Sequence, residues 1–515
     1  MKKIILALSL AAILFVGCER HGVTVCTNPL TYTDIPDNDV IRVGDTYYMV
    51  STTMYFCPGA PIMKSKDLVH WQIVSYIYDC LADDDVYNLR DEGRHAYGRG
   101  QWATTLRYVD GVYYALFIAN DQHKTFIYRT DDIESSYWEC NIIDRAMHDA
   151  SLLFDDGRVF VVWGNGDLRI TELEPDLSAI KEGGVDQLLI EAPRKGINLR
   201  AEGSHVYHIG DYYYVLEIDW PRGGVRTETC WRSKELLGEY ESKVVLQGAF
   251  DGRGDGVAQG AIVETQYGDW YAIMFQDHGA VGRIPTLQPV TWVDGWPIMG
   301  DNGVPVKEFE VQLTEDGENR TWASDEFDYE NNADMDLVWQ WNHKPLDGCW
   351  SFTERPGWLR LTTGQIATDI SNARNTLTQR TVGPACWSET KIDASAMKPG
   401  DHAGLCAFQS NYCALEVVVD EDGTKNLAAV CRTGEIVRVP MNGETAYMKI
   451  NYDFNTDKAT MAYSFDGASW TDVDYELQMR FTLDYFTGYR SALYNYATNE
   501  LGGAADFDYF HQEAI

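Results

Sequence analysis

A hairpin tip centred on glycine recurs five times along this chain, each time followed by a strand rich in aromatic and apolar residues. The five copies are RVGDTYYMV around Gly44, YVDGVYYALF around Gly111, FDDGRVFVVW around Gly157, HIGDYYYVLE around Gly210 and QYGDWYAIMF around Gly268. A unit of a few short strands that returns at a spacing of roughly fifty residues is typical of radially repeated four-stranded sheets. The repeat therefore predicts a five-bladed β-propeller over residues 26–310.

Three carboxylic acids stand in register with this repeat. Asp37, Asp149 and Glu202 each lie seven or eight positions before the glycine of their own repeat. Equivalent positions in different blades converge on the propeller axis, so we expect these side chains to meet in one central pocket. Acids near strand starts also serve as turn caps in propellers of many functions, and that structural role is the alternative.

The whole chain is predicted to be all-β, because glycine-containing breakers interrupt it roughly every eight to fifteen residues, and the runs between them alternate or are rich in Tyr, Val, Trp and Phe. After Phe309 comes the polar, acidic stretch LTEDGENRTWASDEFD, which we interpret as a linker over residues 311–327. From Asp328 to the C-terminus, short alternating strands continue without the glycine period, which predicts a β-sandwich over residues 328–515. The linker is too short and too poor in Pro, Ser and Gly for a flexible tether. We therefore expect the sandwich to be a structural partner of the propeller that lends a loop to the pocket edge.

Charge and cysteine usage exclude several classes of function. The 515-residue chain carries a net charge of −36, which repels phosphate backbones and makes nucleic acid an unfavourable partner. Apart from Cys18, ten cysteines remain, and none forms a C-x-x-C pair. No zinc or redox site is predicted from them, and most are expected to be buried free thiols.

The N-terminus predicts export. Lys2 and Lys3 precede an apolar stretch that ends at Val16, too short for a spanning helix and typical of a secretory signal over residues 1–18. The small residue before Cys18 resembles a bacterial lipobox, whose cysteine takes lipid after cleavage, although Phe15 departs from the usual leucine. The expectation is a lipoprotein of the periplasm, outer membrane or cell surface, touching the membrane only through this anchor. Ordinary cleavage nearby is the alternative, and the oligomeric state stays open.

Converging carboxylic acids suit one reaction in particular. Hydrolysis of a glycosidic bond needs a proton donor to the leaving oxygen and an acceptor that activates water or attacks the sugar. Three acids would supply the donor, the acceptor and a third charge that acts on the donor.

Longer stretches of the chain resemble glycoside hydrolase family 43. They are TDIPDNDVIRVGDTYYMVST, APIMKSKDLVHWQIV, HDASLLFDDGRVFVVWG, RAEGSHVYHIGDYYYVLE and GRIPTLQPVTWVDGWP. WQWNHKPLDGCWSFTERPGWLRLTT and NTLTQRTVGP resemble the C-terminal β-sandwich of two-domain members. The resemblance implies an inverting enzyme with a five-bladed propeller. Members of this family are arabinofuranosidases, xylosidases and arabinanases.

The resemblance also assigns roles. It places the general base on Asp37, the aspartate that modulates the proton donor on Asp149, and the general acid on Glu202. Arg283 in VGRIPTLQP matches a family arginine that hydrogen-bonds sugar hydroxyls. Trp102 is a candidate apolar wall against the sugar, with ordinary propeller core as its alternative.

Some positions depart from the family pattern. Asn38 follows Asp37 where the family commonly has proline, a change expected to alter backbone stiffness more than chemistry. Ala258 and Gln259 stand where members often carry a histidine that helps to hold an ion or water cluster on the axis, which puts a bound calcium ion in doubt. Asp34 and Asp39 flank the first acid and are interpreted as structural.

These observations predict an exo-glycosidase that releases terminal pentose, α-L-arabinofuranose first, from plant polysaccharide without an organic cofactor. A β-D-xylosidase is the alternative within the family, because the two pentoses present similar hydroxyls. A non-catalytic glycan-binding propeller is the alternative from another class. The intact acid triad argues against it, because a binding protein has no need of a protonated glutamate.

Overall fold

The computed structural model describes residues 22–91, 93–135, 137–252 and 255–515. The signal segment and Cys18 lie outside these described residues. Strands make up nearly all of the regular structure, with three 3-10 helices at Gly279–Val281, Asn332–Asp334 and Ile370–Asn372. Within the described part of the chain, no helix has both the length and the hydropathy to cross a bilayer.

The first half forms five four-stranded antiparallel sheets, each built from strands close in sequence. Numbered in chain order, they comprise β2 (Asp39–Val43), β3 (Thr46–Val50), β5 (Gly59–Ser65) and β6 (Gln72–Tyr78); β7 (Gln101–Val109), β8 (Val112–Ala119), β9 (Lys124–Thr130) and β10 (Glu139–Ile143); β11 (Ser151–Asp155), β12 (Arg158–Trp163), β13 (Leu168–Leu173) and β14 (Asp186–Ile190); β15 (Ile197–Ile209), β16 (Tyr212–Pro221), β17 (Thr227–Ser233) and β18 (Glu241–Gln247); and β19 (Val257–Glu264), β20 (Trp270–Asp277), β21 (Arg283–Val293) and β22 (Trp296–Met299). These are blades 1 to 5 of a β-propeller, as the repeat predicted.

The five repeat glycines form the turns between the first and second strands of the blades. Their φ angles run from 60° at Gly210 to 90° at Gly268, in the left-handed region where glycine carries no steric penalty. Apolar clusters fill the spaces between neighbouring blades, for example between β3 of blade 1 and β8 of blade 2. The ends of the propeller are joined by β1 (Thr24–Thr27), which pairs with β23 (Glu308–Val311).

The second half is a sandwich of two antiparallel sheets. One holds, in spatial order, β32 (Gly434–Pro440), β31 (Lys425–Cys431), β30 (Cys413–Val419), β29 (Asp401–Phe408), β36 (Arg490–Ala497), β27 (Leu377–Arg380), β24 (Gln340–Asn342) and β4 (Phe56–Cys57). The other holds β25 (Trp350–Ser351), β26 (Leu359–Thr362), β37 (Ala504–Ala514), β28 (Ala385–Asp393), β33 (Thr445–Asp453), β34 (Lys458–Ser464) and β35 (Thr471–Gln478). The all-β prediction, propeller followed by sandwich, is confirmed.

One strand connects the two halves. β4 belongs to the propeller part of the chain, yet it pairs with β24 at the edge of the sandwich sheet. Its Phe56 is fully buried in a core that is otherwise mostly sandwich, and Arg490 of the sandwich lies 4.0 Å from the Phe56 ring centroid. The two domains therefore share one continuous hydrophobic core.

The cysteines are mostly free, as expected. Cys57 and Cys80 are disulfide-bonded. Eight further cysteines of the described ranges are free: Cys26, Cys230, Cys386, Cys406, Cys413 and Cys431 are buried, Cys349 is half-buried and Cys140 is exposed.

Candidate active site

One cavity of about 610 Å³ is lined by all five residues that the sequence analysis assigned to catalysis or sugar binding. They are Asp37, Trp102, Asp149, Glu202 and Arg283. They come from all five blades: four lie in or just before the first strand of a blade, and Arg283 begins the third strand, β21, of blade 5. The propeller therefore brings residues distant in sequence to one place.

Local backbone geometry aims the acids into the cavity. Asp37 and Asp149 lie just before the first strands of their blades with φ angles of 54° and 44°, a region that aspartate tolerates better than most residues. Glu202 lies within β15 and is followed by Gly203, whose φ is 67°. The Gly203 amide donates to Asp149 Oδ2 at 3.1 Å, so it links the two acids through the backbone.

At one side of the cavity, Asp37 is bound by Arg283. Arg283 Nη1 lies 3.0 and 3.1 Å from the two carboxylate oxygens, and both side chains are almost fully buried. The guanidinium also lies 4.6 Å from the ring centroid of Phe486. This pairing fixes the orientation of the Asp37 carboxylate.

Glu202 is bound by an amide and an imidazole instead of a guanidinium. Asn165 Nδ2 donates to Glu202 Oε2 at 2.5 Å, and His148 Nε2 lies 3.1 Å from the same oxygen. His148 Nε2 is also 3.5 Å from Asp149 Oδ2. The two catalytic candidates, Asp37 and Glu202, thus have different partners, which suits different roles.

Two pKa values in this group are shifted. Burial raises the pKa of Asp149 to about 7, reinforced by Glu202 and Asp37 and opposed by His148. Burial disfavours the charged imidazole of His148, but the surrounding carboxylates outweigh it. Asp149, Glu202 and Asp37 together raise the pKa of this imidazole to about 9.

Aromatic side chains from both domains form the walls. Trp102 packs edge-on against His148, with ring centroids 5.6 Å apart, and against Phe486 at 5.8 Å. Trp220 also lines the cavity. From the sandwich, Phe481, Leu483 and Phe486 reach its edge on the segment between β35 and β36. The cavity is therefore completed by a loop of the second domain, as the sequence led us to expect.

The comparison with known families fits this geometry. The model described as Glycosyl hydrolases family 43 matches residues 26–297. A second model, described as Beta xylosidase C-terminal Concanavalin A-like domain, matches residues 324–513. This chain belongs to glycosyl hydrolase family 43. It is a glycoside hydrolase of this family, as the resemblance implied.

Individual relatives of this family 43 chain have different names. A β-xylosidase of Formosa agariphila is 30% identical, with 94% of this chain and 89% of that protein covered. A non-reducing end α-L-arabinofuranosidase, BoGH43B of Bacteroides ovatus, is 26% identical over 94% of both chains. A solved structure described as a bifunctional GH43-CE protein of Bacteroides eggerthii has a TM-score of 0.89 and 45% identity. The match covers 95% of this chain but 63% of that protein, so this chain spans only part of its length.

Asp34 and Asp39, which flank the first acid of this family 43 site, make structural contacts. Asp34 accepts from the backbone amides of Arg283 and Gly488, at 2.8 and 2.9 Å. Asp39 accepts from Arg107 Nη1 at 2.8 Å. Neither residue lines the cavity.

Sequence reasoning missed three features of the site. His148 stands directly before Asp149, and a titratable residue adjacent to a candidate acid was a usable signal. Asn165 lies in the turn between β12 and β13 and carries no such signal. Phe486 comes from the sandwich, and no local pattern marks it as a residue of the propeller site.

The histidine and the two acids beside it also have the spacing of a metal site. Among the described residues, His148, Asp149 and Glu202 present ligand atoms within 4.8 Å of one another. We assign them to proton chemistry, because they contact each other directly and a bound cation would hold the predicted proton donor ionised. At the position of the missing family histidine, Gln259 is buried and its backbone N–H donates to Glu228 Oε2 at 2.8 Å.

Proposed function

We propose that this protein is an inverting exo-glycosidase that removes single terminal pentoses from plant cell-wall polysaccharide. The observation that carries the proposal is that the two acids of the cavity have different partners. Asp37 is bound by Arg283, whereas Glu202 is bound by Asn165 and His148. Two carboxylic acids with different surroundings are what an acid and a base need in order to act in the same turnover.

In the proposed mechanism, Glu202 donates its proton to the glycosidic oxygen as the bond from that oxygen to the anomeric carbon breaks. Asp37 accepts a proton from the water that attacks the opposite face of the same carbon. Asp149 Oδ2 accepts a hydrogen bond from the Gly203 backbone amide at 3.1 Å, and this contact positions the neighbouring Glu202. These residues need no organic cofactor for this step.

The shape of the cavity supports attack at a chain end. A loop of the sandwich reaches the cavity edge with Phe481 and Phe486, and Arg283 closes the same side. A pocket closed at one side receives a terminal sugar more readily than the interior of a polymer. Buried Arg283 Nε has no hydrogen-bond partner among the residues that the structure describes, and a sugar hydroxyl would supply one.

We propose α-L-arabinofuranose as the first candidate sugar and β-D-xylose as the second. Similarity to the α-L-arabinofuranosidase of Bacteroides ovatus supports the first. Similarity to the β-xylosidase of Formosa agariphila and to the β-xylosidase C-terminal domain family supports the second.

Two measurements test the function. The kcat/KM values for nitrophenyl α-L-arabinofuranoside and nitrophenyl β-D-xylopyranoside are compared, and a clear preference for the xyloside would transfer the assignment to the second sugar. Proton NMR of the first product formed reports its anomeric configuration, which we expect to be inverted. Retention would overturn the mechanism, and no hydrolysis of either pentoside, with glycan binding intact, would favour a binding protein.

We also propose that the protein is exported and anchored by lipid on Cys18. The support is the charge and hydropathy pattern of residues 2–18. A Cys18→Ala variant should lose lipid labelling and leave the membrane fraction. If that variant remained fully membrane-associated, the anchor would have to be elsewhere.

A further inference from the structure

His148 occupies a position that the proposed mechanism does not use. Its Nε2 lies 3.1 Å from Glu202 Oε2 and 3.5 Å from Asp149 Oδ2, within the cavity wall. Its side chain is 24% exposed, so the imidazole can exchange protons with solvent while it contacts the proton donor. An imidazole at hydrogen-bond distance from a carboxyl group can hold one proton in common with it.

We infer that His148 and Glu202 hold one proton between them, so that the imidazole keeps the proton donor supplied as the pH rises. This inference rests on the proposed function of Glu202 as general acid. His148 acts through Glu202 and does not itself need to touch the substrate. It is a positioning and proton-sharing residue.

The charges around His148 favour this arrangement. The titratable groups facing it are Asp149 beside it, Glu202 from blade 4 and, farther away, Asp37 from blade 1, all acidic. Trp102 and Asn165 also face it and carry no charge. The cavity arginines are engaged elsewhere, Arg283 with Asp37 and Arg226 with Asp277. The acidic groups around the imidazole therefore favour its protonation, and neither of these arginines is paired with it.

The proton count balances over one turnover. When the shared proton is on Glu202, it passes to the leaving oxygen and leaves a carboxylate beside a neutral imidazole. The imidazole then takes a proton from solvent and shares it with Glu202 Oε2, which restores the pair to one proton. Asp37 releases to solvent the proton that it took from the attacking water.

The experiment compares pH profiles of kcat/KM for two substrates of the same pentose. An oligosaccharide needs a proton donor, whereas a dinitrophenyl pentoside has a leaving group that does not. His148→Gln keeps an amide N–H near the position of Nε2 but cannot hold the extra proton. In His148→Gln, we expect the basic limb of the kcat/KM profile for the oligosaccharide to move to lower pH by about one unit or more. The profile for the dinitrophenyl pentoside should not move.

His208→Gln is the matched control. His208 Nδ1 lies 2.7 Å from Asp155 Oδ1, so it also forms a histidine–carboxylate pair, but it does not line the cavity. Its replacement should leave both profiles unchanged. An unchanged oligosaccharide profile in His148→Gln would overturn the inference, and so would a wild-type profile altered by a chelator, because a bound metal would then account for the cluster.

A second measurement does not depend on the folding of that variant. NMR titration of nitrogen-labelled histidines in the wild type should show one imidazole that stays protonated above the ordinary histidine range. In Glu202→Gln, the same signal should titrate at lower pH, and an unshifted signal would overturn the inference. If neither pentoside is hydrolysed by the wild type, the proposed function fails, whatever the titration shows.

Discussion

At the scale of single residues, the two acids are expected to respond differently to substitution. Glu202→Gln removes the proposed proton donor, so hydrolysis of oligosaccharides should fall by about two to four orders of magnitude. A dinitrophenyl pentoside should lose much less, since its leaving group needs little protonation. Asp37→Asn removes the acceptor for the water proton and should impair every substrate. Near-normal turnover of an aryl pentoside by Asp37→Asn would show that the base had been assigned wrongly.

The buried pair of Arg283 and Asp37 has a consequence for stability. Arg283→Met leaves the Asp37 carboxylate buried without its partner, which should cost about 3–5 kcal/mol of folding free energy. The double variant Arg283→Met with Asp37→Asn removes both charges and should regain much of that loss. Thermal denaturation of the two single variants and the double variant measures this coupling. Additive losses in melting temperature would mean that the two side chains do not stabilise each other.

How far the sequence predicted the site depended on the kind of signal each residue carries. Asp37, Asp149 and Glu202 occupy equivalent places in a repeat, so their meeting follows from the symmetry of the fold. The position of His148 directly before Asp149 was a usable signal that it lies near the site. Its contact with Glu202 depends on the packing of blades 3 and 4, and spacing alone does not predict that contact. Asn165 depends in the same way on how one turn folds over the cavity.

At the scale of elements, the segment between β35 and β36 is the part of the sandwich that the cavity requires. Phe486→Ala removes the ring that lies 4.6 Å from the Arg283 guanidinium. A cation–π contact in a desolvated place is worth about 0.5–2 kcal/mol, so kcat/KM should fall by about two- to thirtyfold.

Phe486→Leu separates the two contributions of this side chain, because leucine keeps apolar volume but has no ring. It should recover part of the loss if packing matters and none if the ring face is the whole effect. Phe465→Ala is the control, since Phe465 is an exposed phenylalanine of the sandwich that does not line the cavity. Unchanged kinetics in Phe486→Ala would remove the loop from the account of the site.

At the scale of the whole molecule, the glycine period predicted the blades because each turn needs a left-handed residue at a fixed place. The shared core was harder to predict. β4 is only two residues long, and its sequence, Phe56–Cys57, gives no sign that it pairs with a strand almost three hundred residues later. Contacts of this kind depend on how two domains pack, which a local pattern does not record.

That packing includes direct aromatic contact between the domains. Tyr97 of the propeller stacks on Tyr485 of the sandwich, with ring centroids 3.8 Å apart and an interplanar angle of 6°. Tyr55 and Phe56, fully buried, belong to the same cluster. A chain truncated after Thr321 would expose this surface, so we expect it to aggregate or to lose activity.

Loss of activity after truncation does not distinguish the covalent connection from the packing contact between propeller and sandwich. A second variant separates these two contributions. A protease site inserted after Gly317, in an exposed part of the linker, allows the connection to be cut after folding. Because the shared core holds the domains together, the cut protein should stay associated in size-exclusion chromatography and keep most of its kcat/KM. The uncut insertion variant is the control for the inserted residues. Separation of the halves with the propeller still soluble and fully active would show that the sandwich is dispensable to the site, against the position of Phe486 in the cavity wall.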